Sequence, residues 1–231
     1  MQLFITEFTQ DWNQITLDNK EILHQTRKVL RMKIWDKFFI QQKNTRHEIE
    51  ILNREKNTIK GKIINTENNS WDEKSKSWIL IAIPNKWSKL ELIVQKLSEI
   101  WIKNIYLWPS ERSIIKEANE KKIDRLNKIA KEAVEQSRWR ELPKIEFIKD
   151  ISKIISDKKI IIFDKQEKKS PLIRGIKGDK KIIWIIGPEG WLTKNDYQKF
   201  WDNYEIKSLW DTILRTETAS IIVGRAIKNL E

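Results

Sequence analysis

Residues 181–227 read KIIWIIGPEGWLTKNDYQKFWDNYEIKSLWDTILRTETASIIVGRAI, and this stretch decides the fold. Ile182-Ile183-Trp184-Ile185-Ile186 is an unbroken, mostly β-branched run of strand length. Such a run suits a strand buried on both faces of a mainly parallel sheet. It stops at Gly187-Pro188-Glu189-Gly190. Proline cannot continue a ladder and glycine tolerates backbone geometries closed to other residues, so the chain turns sharply at the strand's C-terminal edge. Open α/β sheets bind ligands at that edge.

Beyond the turn, Thr193 and Asp196 have the spacing of a capping box. Tyr197, Phe200, Trp201 and Tyr204 follow at i, i+3, i+4 and i+7, which predicts a helix closed by Asn203 as a left-handed cap. A short strand over 206–209 leads through Trp210-Asp211-Thr212-Ile213 into Leu214-Arg215-Thr216-Glu217-Thr218-Ala219. Ala219, Ile222, Val223, Ala226, Ile227 and Leu230 then recur at helical spacing. Two polar loops, each ending a strand and opening a helix, thus bring backbone amides, an arginine and two glutamates to one edge.

Working outward, 78–83 reads as a buried strand and Leu90, Ile93, Val94, Leu97 and Ile100 as one helix face. Residues 102–107 form a strand ending in Ser110-Glu111-Arg112-Ser113, 121–136 a long amphipathic helix, 160–164 a strand and 165–180 a lysine-rich loop. This alternation predicts an α/β domain with a mainly parallel sheet over 71–231. The first 70 residues differ: short strands at 3–8, 37–42, 46–52 and 58–64 predict a small β-barrel, with 65–76 as the linker. Between its first two strands lies the basic segment His24-Gln25-Thr26-Arg27-Lys28-Val29-Leu30-Arg31.

The chain has 231 residues, with 45 Lys+Arg against 33 Asp+Glu, a net charge of +12. That balance favours a polyanionic partner such as RNA or an acidic membrane surface. No cysteine is present, which excludes disulfides and thiolate metal sites, and two histidines cannot build a histidine-rich one. No apolar run approaches the roughly 20 residues of a membrane span, and the N-terminus lacks signal-peptide features, so cytoplasm is expected.

Gly187-Pro188-Glu189-Gly190, then Leu209 and Ile213-Leu214-Arg215-Thr216-Glu217-Thr218-Ala219, resembles the signature of the bacterial 16S ribosomal RNA uridine-N3 methyltransferases, the RsmE family of the SPOUT superfamily. Ser110-Glu111-Arg112-Ser113, Glu135-Gln136-Ser137 and the His24 to Arg31 segment continue the likeness. The resemblance implies a trefoil-knotted sheet, an N-terminal PUA-like RNA-binding barrel and a homodimer. It implies methylation at uridine 1498 of 16S rRNA in the 30S subunit. It places S-adenosylmethionine among Gly187, Gly190, Trp191, Leu209, Trp210, Ile213 and Leu214. RNA contacts would come from His24, Arg27, Lys28 and Arg31, and from Arg138 or Arg140.

Methylating uridine N3 means removing its proton, by a general base or by stabilising the anion. Arg112 and Arg215 are the cationic candidates, and Glu189 and Glu217 the carboxylates. A superfamily enzyme acting on another RNA, or a non-catalytic RNA-binding assembly factor, are the competing readings. No metal is implied.

Tryptophan, at 12 residues, outnumbers glycine, at 6. Glycine ordinarily makes up about 7% of a chain. Trp35, Trp87, Trp101, Trp191 and Trp210 stand in turns and helix ends where glycine is expected, and the matching family positions are typically glycine. The reading that accounts for this is a conceptual translation in which UGA codons decoded as glycine were written as tryptophan. The alternative is a tryptophan-rich protein whose indoles fill a core or stack on bases.

Overall fold

The computed structural model of the protein describes residues 1–43, 45–68, 77–139, 141–163, 181–201, 203–209 and 213–229. They fall into two compact units, one of Met1–Asp72 with Val134–Glu141, the other of Glu73–Ala133 with Leu142–Glu231.

The first unit carries β1 (Leu3–Ile5), β2 (Thr9–Asp11), β3 (Gln14–Leu17), α1 (Lys20–His24), β4 (Lys37–Gln42), β5 (Thr45–Glu55) and β6 (Thr58–Asn68). They form a six-stranded sheet in the order β1-β4-β5-β6-β3-β2. β1 runs parallel to β4 and the remaining pairs are antiparallel. Alternate side chains, among them Phe4, Ile15, Leu17, Phe38, Ile40, Ile49, Ile51 and Ile59, close one core, as the period-two pattern of strands demands. Asn19 caps α1, its Oδ1 accepting from the Glu21 and Ile22 amides at 3.0 and 3.2 Å, and a π-helical turn over Gln25–Val29 continues it. β1 stops at Ile5, short of the strand expected over 3–8, and the β2–β3 hairpin that follows carries no sequence mark, because Trp12-Asn13 does not read as a two-residue turn.

The second unit is built from β7 (Trp78–Ala82), α2 (Trp87–Glu99), β8 (Asn104–Trp108), α3 (Glu120–Ser137, as far as Ala133), β9 (Lys144–Phe147), α4 (Ser152–Ile155), β10 (Lys159–Phe163), β11 (Ile182–Ile186), α5 (Lys194–Gln198), β12 (Tyr204–Lys207) and α6 (Thr216–Lys228). Its sheet has the order β12-β10-β11-β7-β8-β9, and every pair is parallel. β11 is buried along its whole length. Ile182, Trp184 and Ile186 pack into the core that includes Leu90, Val94, Leu126 and Val223. Ile183 and Ile185 enter the opposite core with Ile155, Leu192 and Phe200. Helices therefore cover both faces, which is why the strand needs no polar position. α6 lies against α2 so closely that a Cβ on Gly224 would stand 2.6 Å from Leu97 Cδ2.

Three local readings are corrected. α5 ends at Gln198, and Tyr204 opens β12 instead of closing a helical stripe. The left-handed residue after α5 is Trp201, with φ of 51°, in place of Asn203. β9 and α4 were not foreseen. Among the described residues no helix is long and apolar enough to cross a membrane.

Candidate active site

All strands of the second sheet point the same way, so the segments after β7, β8, β11 and β12 gather at one edge. The chain beyond β11 turns at Gly187, and the Trp191 amide donates to Pro188 O at 3.0 Å. The chain entering α6 arrives beside it: Thr216 Oγ1 donates to Gly187 O at 3.3 Å. The two bends singled out in the sequence are therefore bonded to each other. They enclose a cavity of about 220 Å³ lined by Phe163, Ile186, Gly187, Pro188, Glu189, Trp191, Leu192, Ile213, Leu214, Arg215, Thr216 and Ala219. Most of this wall is apolar, with Glu189, Arg215 and Thr216 as its polar side chains, a composition suited to a small organic ligand.

A wider cleft of about 650 Å³ adjoins it, lined by Arg112, Trp191, Leu192, Thr193, Lys194, Tyr197, Gln198 and Tyr204. Arg112 enters from the loop after β8 and donates from Nη1 to Gly190 O at 2.5 Å. Gly190 lacks a side chain where Arg112 lies: a Cβ there would sit 3.4 Å from Arg112 Cδ.

The loop that carries Arg112 is held from several sides. Ser113 Oγ donates to Ile83 O at 2.8 Å and pairs with Ser110 Oγ at 2.9 Å. Lys116 Nζ donates to Ser110 O and Glu111 O at 2.5 and 2.7 Å. The Glu111 amide donates to Asp196 Oδ1 at 3.0 Å. Asp196 is fully buried, and its other oxygen accepts from the Thr193 amide at 3.0 Å in the capping box that starts α5. Thr193 Oγ1 donates to the Glu111 carboxylate, and this bond above all holds the Glu111 pKa below the usual carboxylate range. Asp196 was legible in the sequence only as a cap; its second bond, to a loop 85 positions away, was not.

Of the four carboxylate and arginine candidates, Glu189 is engaged locally. Its Oε1 accepts from Lys89 Nζ at 2.6 Å and its Oε2 from the Asn85 amide at 3.0 Å. Burial pushes the Glu189 carboxyl up, but the Lys89 ammonium and the backbone amides outweigh it and hold the pKa low. Glu189 thus fastens the turn after β11 to the turn after β7, a role that leaves it poorly suited to accept a proton. Arg215 is the N-cap of α6, exposed at the cavity rim. Glu217 lies in the first turn of α6, and its buried Oε2 meets no hydrogen-bond partner.

Among the expected cofactor residues, Gly187, Trp191, Ile213 and Leu214 line the cavity. Gly190 packs on Arg112. Leu209 is buried in the core beneath, and Trp210 lies outside the described residues. Phe163, Leu192 and Thr216 were not anticipated, since nothing in their local sequence marks them as wall residues.

In the first unit the basic segment divides. Arg27 donates from Nη1 to Lys56 O at 2.6 Å and from Nη2 to Thr58 O at 3.1 Å and to Glu55 O. Its fork clasps the β5–β6 turn. His24, Lys28 and Arg31 are exposed. Arg138 follows α3 with φ of 56°, and its carbonyl and that of Trp139 accept from Arg46 Nη2 at 3.2 and 2.8 Å. Arg140 lies outside the described residues.

A family profile described as RNA methyltransferase domain matches residues 72–228. Ribosomal RNA small subunit methyltransferase E of Bacillus subtilis is 26% identical over 223 residues, covering 90% of this chain and 87% of that one. The crystal structure of a ribosomal RNA small subunit methyltransferase E from Neisseria gonorrhoeae bound to S-adenosyl methionine superposes with a TM-score of 0.84 at 22% identity, covering 100% of this chain and 98% of that chain. A Legionella pneumophila protein solved in complex with SAM superposes at 0.79 and 20% identity, covering 99% and 96%. These two likenesses show a shared fold. With the profile spanning most of its length, this chain belongs to the RNA methyltransferase domain family, and the resemblance to its RsmE members read from the two bends holds.

Proposed function

We propose that this protein uses S-adenosylmethionine to methylate N3 of a uridine in 16S rRNA, the uridine being the one the RsmE resemblance implies. The observation that carries the reading is the bonded pair of bends, Thr216 to Gly187, closing an apolar cavity with arginines beside it. The residues present fit the cofactor. Phe163, Ile186, Leu192, Leu214 and Ala219 offer apolar walls to an adenine ring, and the turns at Gly187 to Trp191 and at Ile213 to Leu214 offer backbone groups to its edges.

When bound, S-adenosylmethionine supplies an electrophilic methyl group. The chain's own part is to hold the acceptor in line and to stabilise the charge left on the uracil ring. Arg112, braced by its loop, and Arg215, at the mouth of the cavity, are the cations for that charge or for the flanking phosphate. Glu217 is the carboxylate suited to take the N3 proton, since Glu189 is tied to Lys89 and Asn85. His24, Lys28 and Arg31 contribute phosphate contacts from the first unit, read as a PUA-like RNA-binding barrel. The knotted path of the second sheet and a homodimer belong to the same proposal.

The test mixes the protein with purified unmethylated 30S subunits and methyl-labelled S-adenosylmethionine and maps the modified nucleotide. Label at N3 of one 16S uridine is expected. Cofactor binding without transfer to any ribosomal RNA would refute the reading.

A further inference from the structure

Among the described residues, eight that are not glycine adopt left-handed backbone angles, and five of these are tryptophan: Trp12 at φ 51°, Trp35 at 75°, Trp101 at 75°, Trp191 at 63° and Trp201 at 51°. Bulky aromatic residues are outliers in this region, where the Cβ crowds the backbone at a cost of roughly 1–2 kcal/mol. None of the described glycines, Gly61, Gly187, Gly190 and Gly224, is left-handed. The residue built for this conformation is absent from it, and the one least suited to it recurs there.

Each position is also a glycine seat by its hydrogen bonds. Trp12 is the first of two residues joining β2 to β3, with Asp11 opposite Gln14. Positive φ there alone makes the type II′ hairpin, which takes glycine at that position. Trp35 is third in a turn closed by the Asp36 amide on Lys33 O at 3.2 Å, the glycine position of a type II turn. Trp101 follows the C-cap of α2. Its amide donates to Ser98 O at 3.1 Å and the Ile102 amide to Leu97 O at 3.0 Å, the Schellman pair that glycine completes. Trp201 ends the turn after α5, and Trp191 closes the turn after β11.

None of the five indoles is buried, Trp12 being 94% exposed, whereas Trp108 and Trp184, at ordinary angles in strands, are 1% and 2% exposed.

We infer that the natural chain carries glycine at 12, 35, 101, 191 and 201, its gene's UGA codons being decoded as glycine, and that the cavity between the two bends is a glycine-lined cradle. The backbone extends the set to 12 and 201. It does not carry Trp87, which opens α2 outside the left-handed region. At 191 the consequence reaches the site, because that side chain lines both the cavity and the cleft. Glycine there joins the two spaces.

The codons and tryptic peptides of the protein from its own source test this. UGA at all five positions and glycine in the peptides are expected, with UGG at Trp108 and Trp184. UGG at Trp101 or Trp191, or tryptophan in their peptides, overturns the inference. UGA at Trp108 and Trp184 as well would overturn the claim that backbone geometry separates the two kinds. The cradle rests on the proposed function and has its own arm: calorimetric titration of S-adenosylmethionine into the chain as written and into Trp191→Gly. Affinity about tenfold or more higher in the variant is expected, 1.4 kcal/mol being tenfold. Equal measurable affinity overturns the cradle. Glycine codons with binding by neither chain support the decoding and count instead against the proposed function.

Discussion

Replacing Asp196 with alanine removes the acceptor for two backbone amides at once, those of Thr193 and Glu111, each at 3.0 Å. A buried donor left without a partner costs about 1–3 kcal/mol. Both bonds are only part-buried, so the lower end applies to each, and the bond to the Thr193 amide is itself the half of the α5 capping box that is lost. We therefore expect about 2 kcal/mol in total, a fall of about 1 M in the urea midpoint of the second unit. Asp196→Asn keeps one acceptor oxygen and should lose about half as much. Hydrogen exchange resolves the mechanism: the Glu111 and Thr193 amides should exchange faster in Asp196→Ala while the β11 amides keep their protection. Arg112 follows Glu111 directly, so methyl transfer should fall in kcat well beyond any change in cofactor affinity. A midpoint unchanged within error, or protection at Glu111 equal to the parent's, would refute the account of this loop.

The tie between Glu189 and Lys89 is testable by pH. A carboxyl whose folded pKa is depressed adds stability that is present above its unfolded pKa and lost as pH falls through the folded one. The stability difference between the parent and Glu189→Gln should therefore be constant near neutrality and vanish on acidification below the ordinary carboxylate range, as denaturation at a series of pH values would register. Asp157 accepts from Lys158 and Lys181 at 2.7 Å each, which lowers its pKa to about 2, and its carboxyl carbon resonance should titrate there. Arg27→Ala should lower the thermal midpoint of the first unit with little change in the salt dependence of RNA binding, and Lys28→Ala the reverse, measured by calorimetry and filter binding. Glu217→Gln should reduce methyl transfer by about 10²-fold or more while leaving cofactor affinity within a few-fold.

What the sequence made legible follows from how each element is stabilised. β7, β8, β10 and β11 lie inside a parallel sheet covered on both faces, so every position but the opening Asn104 and Lys159 is apolar and the run announces itself. β9 is a four-residue edge strand, Lys144-Ile145-Glu146-Phe147, whose polar–apolar alternation has the shortest length that reads as a strand. The end of α5 misled because Phe200 and Trp201 continue the helical spacing although the backbone has already turned left-handed. The β2–β3 hairpin was hidden by the same residue type: read with glycine at 12, the dipeptide before Gln14 becomes a recognised hairpin turn. The basic run at Arg27, Lys28 and Arg31 shows charge but not direction. Only the carbonyls 28 to 31 positions downstream reveal that one of its arginines braces the fold.

The same distinction between side chains tied off within the fold and those directed to the cavity narrows the chemistry. At the bonded bends Thr216 closes on Gly187, Asp196 on the loop of Arg112, Glu111 on Thr193, and Glu189 on Lys89 and Asn85. The Lys89 ammonium that holds Glu189 as an anion also lowers its basicity. Arg112 lines the cleft, Arg215 lines the cavity, and the buried Oε2 of Glu217 in the first turn of α6 has no hydrogen-bond partner. On the proposed uridine-N3 methylation, a site with that balance favours the deprotonated uracil, in which charge is spread over the ring carbonyls where guanidinium groups bind best, and leaves proton removal to Glu217. The rate should accordingly be more sensitive to Arg112→Lys, which keeps the charge but loses the planar fork, than a simple attraction to phosphate would allow.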